Sequence, residues 1–399
     1  MFLKRLTANT LRKPACFLLL VLLISACTQN AGEGPSLPST GATPAPYPDT
    51  PSPAEIDAPL AEAPGLISLD MLNELDGWGV SERNIVRTND GGITWYNVTP
   101  PEIDETGFSV DLFALDADHA WMQIPDFESY PNSGSLYRTS DGGLTWKDSA
   151  VPFSRGDIYF LNENNGWVLA DLGVGAGSNA VAVLQTTDGS ATWKQSYTND
   201  PNQANAQDSL PLGGIKSDIV PLDMKTAWVS GVIYAPGEVY LFRTEDGGRN
   251  WSPVVLPLPV GAQDFELGID RGQMKFVSGR DAFLALRMSG ESTQTAIYVT
   301  HDSGDTWSLT PTIIDGAGET DFLSSEEAIL YDGEQFHVTR DAARTWVAVD
   351  PDIAFGETFA GMQFENTMSG WVITLDPTTN HRSLYRTSDG GATWFPVIP

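Results

Sequence analysis

Seven aspartates each stand five residues before a tryptophan: Asp90 before Trp95, Asp141 before Trp146, Asp188 before Trp193, Asp246 before Trp251, Asp302 before Trp307, Asp341 before Trp346 and Asp389 before Trp394. Carboxylates repeated in register look like oxygen ligands for a cation. Their surroundings point to a turn instead. The first copy reads Thr88-Asn89-Asp90-Gly91-Gly92-Ile93-Thr94-Trp95. In such a sequence the aspartate accepts hydrogen bonds from its own backbone, and Gly-Gly supplies the positive φ of a tight reversal. The tryptophan then anchors the outgoing strand through its large apolar area. The fifth copy has Ser303 in place of its first glycine, and the sixth has Ala342-Ala343 in place of both. Arg87, Arg138, Arg243 and Arg386 each precede their aspartate by three residues, and that repetition marks them as architectural.

Catalysis would therefore have to come from residues outside the repeat. Asp126, Glu128, Asp264 and Glu266 fall between repeat elements and are candidate loop carboxylates for general acid and base work on a glycosidic bond. The arginines outside the repeat in the globular part are Arg83, Arg155, Arg271, Arg280, Arg287 and Arg382. His119, His301, His337 and His381 match no metal-binding spacing, and no EF-hand loop is present. The glycine-rich run Gly173 to Gly177 leads into a strand-like segment rather than a helix, which removes the context a phosphate cradle needs. No catalytic residue, cofactor-binding residue or metal ligand is assigned.

The elements that must position these residues are strands. The seven tryptophans are separated by 51, 47, 58, 56, 39 and 48 residues, the length of a four-stranded blade. A second signal lies upstream of each turn: Gly77-Trp78-Gly79-Val80, Ala120-Trp121-Met122, Gly166-Trp167-Val168-Leu169, Ala227-Trp228-Val229 and Gly370-Trp371-Val372-Ile373. Ala282-Phe283-Leu284 and Ala328-Ile329-Leu330 are weaker copies. The expectation is an all-β fold, a seven-bladed β-propeller of four-stranded antiparallel blades over residues 65–399. Whether the first and last blades exchange a strand is left open by the sequence.

This pattern is the Asp-box, and the chain resembles the sialidase-type propellers and the photosystem II assembly and stability factor family. The resemblance implies that the boxes are structural turns away from the central binding face. It also implies a binding or assembly role in holding a membrane protein. A sialidase would need three converging arginines and a tyrosine nucleophile, and no such triad can be assembled here.

The remaining segments read as an address and a tether. Lys4, Arg5, Arg12 and Lys13 precede an apolar run, Ala15 to Ile24, too short to span a bilayer. It ends in Ile24-Ser25-Ala26-Cys27, which resembles a bacterial lipobox and implies a signal peptide over 1–26 with lipid attached at Cys27. Residues 28–64 contain nine prolines, five acidic residues and no basic ones, so 27–64 is expected to be an extended, lipid-anchored linker. Cys16 falls in the removed segment, so the mature chain has no thiol pair. The net charge of −30 becomes −34 once four basic residues leave with the signal, which excludes nucleic acid as a partner. The expected protein is an extracytoplasmic, membrane-tethered propeller binding a protein or glycan through its loops, without catalysis. The alternatives are a glycoside hydrolase of sialidase or xyloglucanase type and a carbohydrate-binding propeller.

Overall fold

The computed structural model describes residues 56–103, 110–126 and 128–397. The signal peptide 1–26, Cys27 and the linker up to residue 55 lie outside the described residues. The strands group into seven successive antiparallel units, covering residues 66–97, 111–151, 156–198, 215–253, 266–315, 319–349 and 359–396. Five are separate four-stranded sheets, and the fourth and fifth join into one sheet of nine strands through a single pair, Val232 with Gly268. Only two short 3-10 turns, Ala262–Asp264 and Gly356–Thr358, interrupt the β-structure among the described residues. No described helix is long and apolar enough to cross a membrane.

Unit five departs from the uniform blade. Its innermost strand is split into Glu266–Gly268 and Met274–Phe276, both paired with Ala282–Ser289. Between them a turn, with Gly272 at a φ of 77° and the Gln273 amide bonded to the Asp270 carbonyl, lifts Asp270 and Arg271 out of the ladder. At the other end, residues assigned to the linker pair with the first unit. The Ala61 amide donates to the Trp95 carbonyl and the Asn97 amide to the Pro59 carbonyl, so the ordered unit begins before residue 65.

The second strand of each unit carries the core. Trp78, Trp121, Trp167, Trp228 and Trp371 are fully buried, and Phe283 and Ile329 take the same place in units five and six. Each large ring packs one sheet face against the next. The repeated arginines belong to this packing. Arg87, Arg138, Arg243 and Arg386 sit opposite these tryptophans on the third strand, with each guanidinium carbon 5.1–5.6 Å from the ring centroid. Three of these guanidinium groups lie against the first glycine of the next unit's turn: Arg87 at Gly142, Arg138 at Gly189 and Arg386 at Gly91. The sixth turn tolerates Ala342 because the residue in the arginine's place is Val299, which joins Ala342 and Ala343 in one apolar cluster.

Units one and seven are each built from one continuous stretch of chain, so no strand is exchanged between them among the described residues. Their seam is bridged by side chains. The Trp371 indole donates to the Gly91 carbonyl at 3.0 Å, and the Gln363 carboxamide donates to the Met71 carbonyl at 2.9 Å while accepting from the Met71 amide.

Gly142 shows how tightly neighbouring units are coupled. It holds a φ of 70°, and a Cβ there would lie 1.8 Å from Arg87 Nη1. Gly142→Ala should destabilise the protein by about 2 kcal/mol or more, through left-handed strain plus displacement of the arginine. Combining it with Arg87→Leu should cost less than the sum of the two single changes, as measured by denaturant unfolding in a double-mutant cycle.

Candidate functional site

The innermost strands carry a second repeat that has nothing to do with the turns. Ten residues before the core position of strand two stand Asp111, Asp157 and Asp218 in three successive units, followed by Gln273 and Glu319 in the next two. Eight residues before it stand Asp70, Lys275, Asp321 and Gln363 in units one, five, six and seven. The alternation of a strand puts both positions on the same face, toward neighbouring innermost strands.

These side chains stitch each unit to the next. The Asp70 carboxylate accepts from the Ala114 amide. Gln123, from strand two of unit two, accepts from the Gly156 amide at 3.1 Å. Asp157 accepts from Ile219 at 2.9 Å, Asp218 from Gly272 at 3.0 Å and Asp321 from Phe364 at 2.8 Å. The Thr320 hydroxyl donates to Gln273 at 2.6 Å, and Gln363 binds Met71 across the seam. Every interface between consecutive units therefore has a hydrogen bond from an inner side chain, and most of these go to backbone amides.

Arg271 crosses from unit five to units two and three. Its Nη2 lies 3.0 Å from both oxygens of Asp111 and 2.7 Å from Asp157 Oδ1. Lys275 makes the matching ion pair with Asp321 at 3.3 Å. Burial pushes the Asp111 carboxyl up to about 6, against the pull of Arg271. Burial, and then the neighbouring Asp218 charge, hold Asp157 well above the usual carboxylate range. Burial works against the Arg271 cation, but the Asp157 and Asp111 charges outweigh it and strengthen its hold on its proton.

Above this network lies a cavity of about 530 Å³, lined by Asp111, Gln123, Arg155, Asp157, Asp171 and Arg271 among others. Lys216 is also in its wall, and burial lowers its ammonium to about 8. Its three protons go to the carbonyls of Asn179, Leu212 and Gly214 at 2.7–3.1 Å, so it is a structural cation. A larger space of about 710 Å³ lies among the turns of units four and five, lined by Arg243, Asp246, Asp305 and Trp307.

The seven repeat aspartates are engaged within their own turns. Each accepts at Oδ1 from the threonine hydroxyl two residues earlier, at 2.8–3.0 Å. Each also accepts from the amide four residues later, at 2.8–3.0 Å. The Thr306 hydroxyl and amide hold Asp302 down to about 2. Serine and alanine adopt the glycine conformation in the altered turns, with φ of 61° at Ser303, 58° at Ala342 and 60° at Ala343. Trp95, Trp251, Trp307 and Trp394 are buried, whereas Trp146, Trp193 and Trp346 are half-buried.

The loop carboxylates do not form a pair. Asp126 accepts from the amides of Glu128 and Ser129 in its own turn, Asp264 lies in a 3-10 turn of the connection from unit four to five, and Glu266 enters the split strand. Among the described residues no cluster of three or more His, Cys, Asp or Glu is placed to hold a metal. The constellation that does assemble is Asp111, Asp157, Asp218 and Arg271. Of these only Arg271 stood out in the sequence as a non-repeated arginine. The signal for the three aspartates was their constant spacing to Trp121, Trp167 and Trp228.

The fold and this inner face define an all-β propeller resembling the photosystem II assembly family. No family model matches the chain. It is 22% identical over 262 residues to the photosystem II assembly lipoprotein Ycf48 of Synechococcus sp. (strain CC9902), covering 58% of this chain and 70% of that protein. A structure of Ycf48 bound to D1 peptide superposes with a TM-score of 0.51 at 16% identity, over 84% of this chain and 96% of that one. The GH74 xyloglucanase from Xanthomonas campestris gives a TM-score of 0.56 at 11% identity; it covers 85% of this chain, which spans 55% of that enzyme.

Replacing Arg271 tests the charge balance of the inner face. A carboxyl whose folded pKa is raised gives most stability below its unfolded value near 4, and that stability is lost as pH rises through the folded value. Without Arg271, Asp111 and Asp157 should rise further. Arg271→Met should therefore lower stability by about 1–3 kcal/mol at pH 8, the arginine being half exposed, and by much less at pH 5. Thermal midpoints of both proteins across that range give the comparison.

Proposed function

We propose that the chain is a lipid-anchored, extracytoplasmic propeller that binds and holds a protein partner without catalysis. One observation carries this reading: Asp157 and Asp218 bond backbone amides of neighbouring units, while Asp111 shares the guanidinium of Arg271 with Asp157. Hydrolysis of a glycosidic bond needs two carboxyl groups free to act on opposite sides of it. Carboxylates occupied in joining units serve a ring that presents loops. The likeness to Ycf48, named as an assembly lipoprotein and solved with a D1 peptide, supports a polypeptide partner.

Within this reading the seven aspartate turns are structural and Cys27 is the lipid attachment site. The linker then sets the distance between the membrane and the propeller. An extended, proline-rich segment rises about 3.1 Å per residue, which carries the ring clear of the lipid surface. The glycosidase alternative has one observation in its favour, the Asp111 carboxyl at about 6, within the range of a general acid.

Crosslinking the tagged protein in its native membranes, with Cys27→Ala as the untethered control, tests the proposal. One membrane complex recovered in stoichiometric amount and lost with Cys27→Ala is the expected result. Recovery of no reproducible partner, together with release of sugars from an extracellular polysaccharide in a manner abolished by Asp111→Asn, would overturn it in favour of the hydrolase.

A further inference from the structure

The first unit receives its chain differently from the others. Units two to seven are each entered from the outermost strand of the unit before, so the chain itself crosses every interface of the ring except one. The exception is the seam between units seven and one, which no strand crosses among the described residues. Chain nevertheless runs along this seam, and it is supplied by residues 56–65.

The segment passes from the outer edge of unit one to its inner strand. Leu60 forms an antiparallel bridge with Tyr96 on the free edge of the outermost strand. Two backbone bonds flank the bridge, from the Asn97 amide to the Pro59 carbonyl at 2.7 Å and from the Ala61 amide to the Trp95 carbonyl at 2.9 Å. Ala58 packs into the apolar cluster shared by units one and two, with Trp78, Val98 and Ala114. Three residues later Ala61 packs into the cluster shared by units one and seven, with Trp95, Trp371 and Ile373. Gly65 then passes against unit seven: a Cβ there would lie 3.7 Å from Arg382 Cβ, and Arg382 Nη1 donates to the Leu66 carbonyl at 3.5 Å. The segment therefore touches both flanks of unit one before it becomes the inner strand.

These contacts have two physical consequences. An outermost strand presents unpaired amides and carbonyls, and the segment covers those of unit one. The seam is also the one interface whose two sides can part without pulling on a connecting chain, so contacts added there restrain opening of the whole ring. Residues 61–65 take the course along the seam that a connection from a preceding unit takes elsewhere.

We propose that residues 56–65 are a clasp: docked on the outer edge of unit one and packed along the seam, they hold the ring closed at the interface that the chain does not otherwise cross. The clasp goes beyond the binding reading above and does not depend on it. Residues 56–64 then belong to the ring and add nothing to the reach of the linker.

A disulfide and hydrogen exchange on the purified full chain test the clasp. Leu60 and Tyr96 face each other between the two flanking bonds, an arrangement in which Cα atoms stand about 4.5 Å apart, within reach of a disulfide. With Leu60→Cys and Tyr96→Cys together, oxidation should join positions 60 and 96 in nearly all molecules, as read by peptide mapping. Leu60→Cys with Val347→Cys, on an exposed position of unit six, should give no disulfide within one chain. Locking the clasp should slow exchange of the Met71 amide, which bonds Gln363 across the seam, by about tenfold. The Ile219 amide, bonded to Asp157 between units three and four, should exchange at the same rate in the oxidised and reduced forms. Ala61→Pro removes the amide that bonds Trp95 and should act in the opposite direction, speeding exchange at Met71 and not at Ile219. The proposal is overturned if positions 60 and 96 do not join, if locking leaves exchange at Met71 unchanged, or if Met71 and Ile219 respond equally. Where Ala61→Pro fails to fold, the oxidised and reduced forms of the cysteine pair decide the question by themselves.

Discussion

A ring of sheets that shares no strand between its ends has to be held by something other than the β-ladder. Here that is a side chain of one unit, on an innermost strand at all but the Gln123 interface, bonding the inner strand of the next. The interaction recurs at all seven interfaces, including the seam, where Gln363 bonds both the amide and the carbonyl of Met71. Apolar packing of tryptophans supplies area but no register, because a ring can slide on a flat face. A carboxylate or carboxamide aimed at one particular amide fixes the offset between two sheets. These bonds also satisfy inward-facing amides such as those of Ile219, Gly272 and Phe364, which would otherwise be stranded where units meet.

Placing acids on the inner face has an electrostatic consequence. Burial raises the Asp111 and Asp157 carboxyls, and a neighbouring charge adds to it, that of Asp157 at Asp111 and that of Asp218 at Asp157. The split strand of unit five answers this. By leaving the ladder at Asp270 and Arg271, the chain brings a guanidinium across to units two and three, and Lys275 from the returning half pairs with Asp321 of unit six. The split innermost strand thus supplies cations to both sides. A regular strand could not present Arg271 and Lys275 to two different neighbours, because alternation would keep them four residues apart on one face.

The architecture was legible in the sequence because its signals are local. Each turn needs a threonine, an aspartate and residues that accept positive φ within a few positions, and each second strand needs a large apolar residue. The altered sixth turn stayed recognisable because Thr339, Asp341 and Thr345 make the same bonds without the glycines. The inner face was not read, although its spacing to the tryptophans is constant. Asp111, Asp157 and Asp218 belong to strands that otherwise differ, and an aspartate in an acidic chain is unremarkable until the ring shows which amide it meets. The loop acids Asp126 and Glu128 attracted attention for the opposite reason: they are conspicuous between repeats, and they are bound up in a local turn or open to water.

The same distinction separates the groups available for function from those that are not. A propeller of this kind can serve as an enzyme only if some of its inner polar groups are released from joining units. At the centre of this chain Asp111 and Asp157 are held by Arg271, Asp321 by Lys275, and Asp218 by the Gly272 amide. The freedom lies instead in the loops of units two to four, where the hairpin of unit three outgrows its neighbours and apolar side chains remain uncovered. That division follows from the geometry of a closed ring. The inner strands must agree with both neighbours and change little, whereas a hairpin at the end of a blade can lengthen without disturbing any interface.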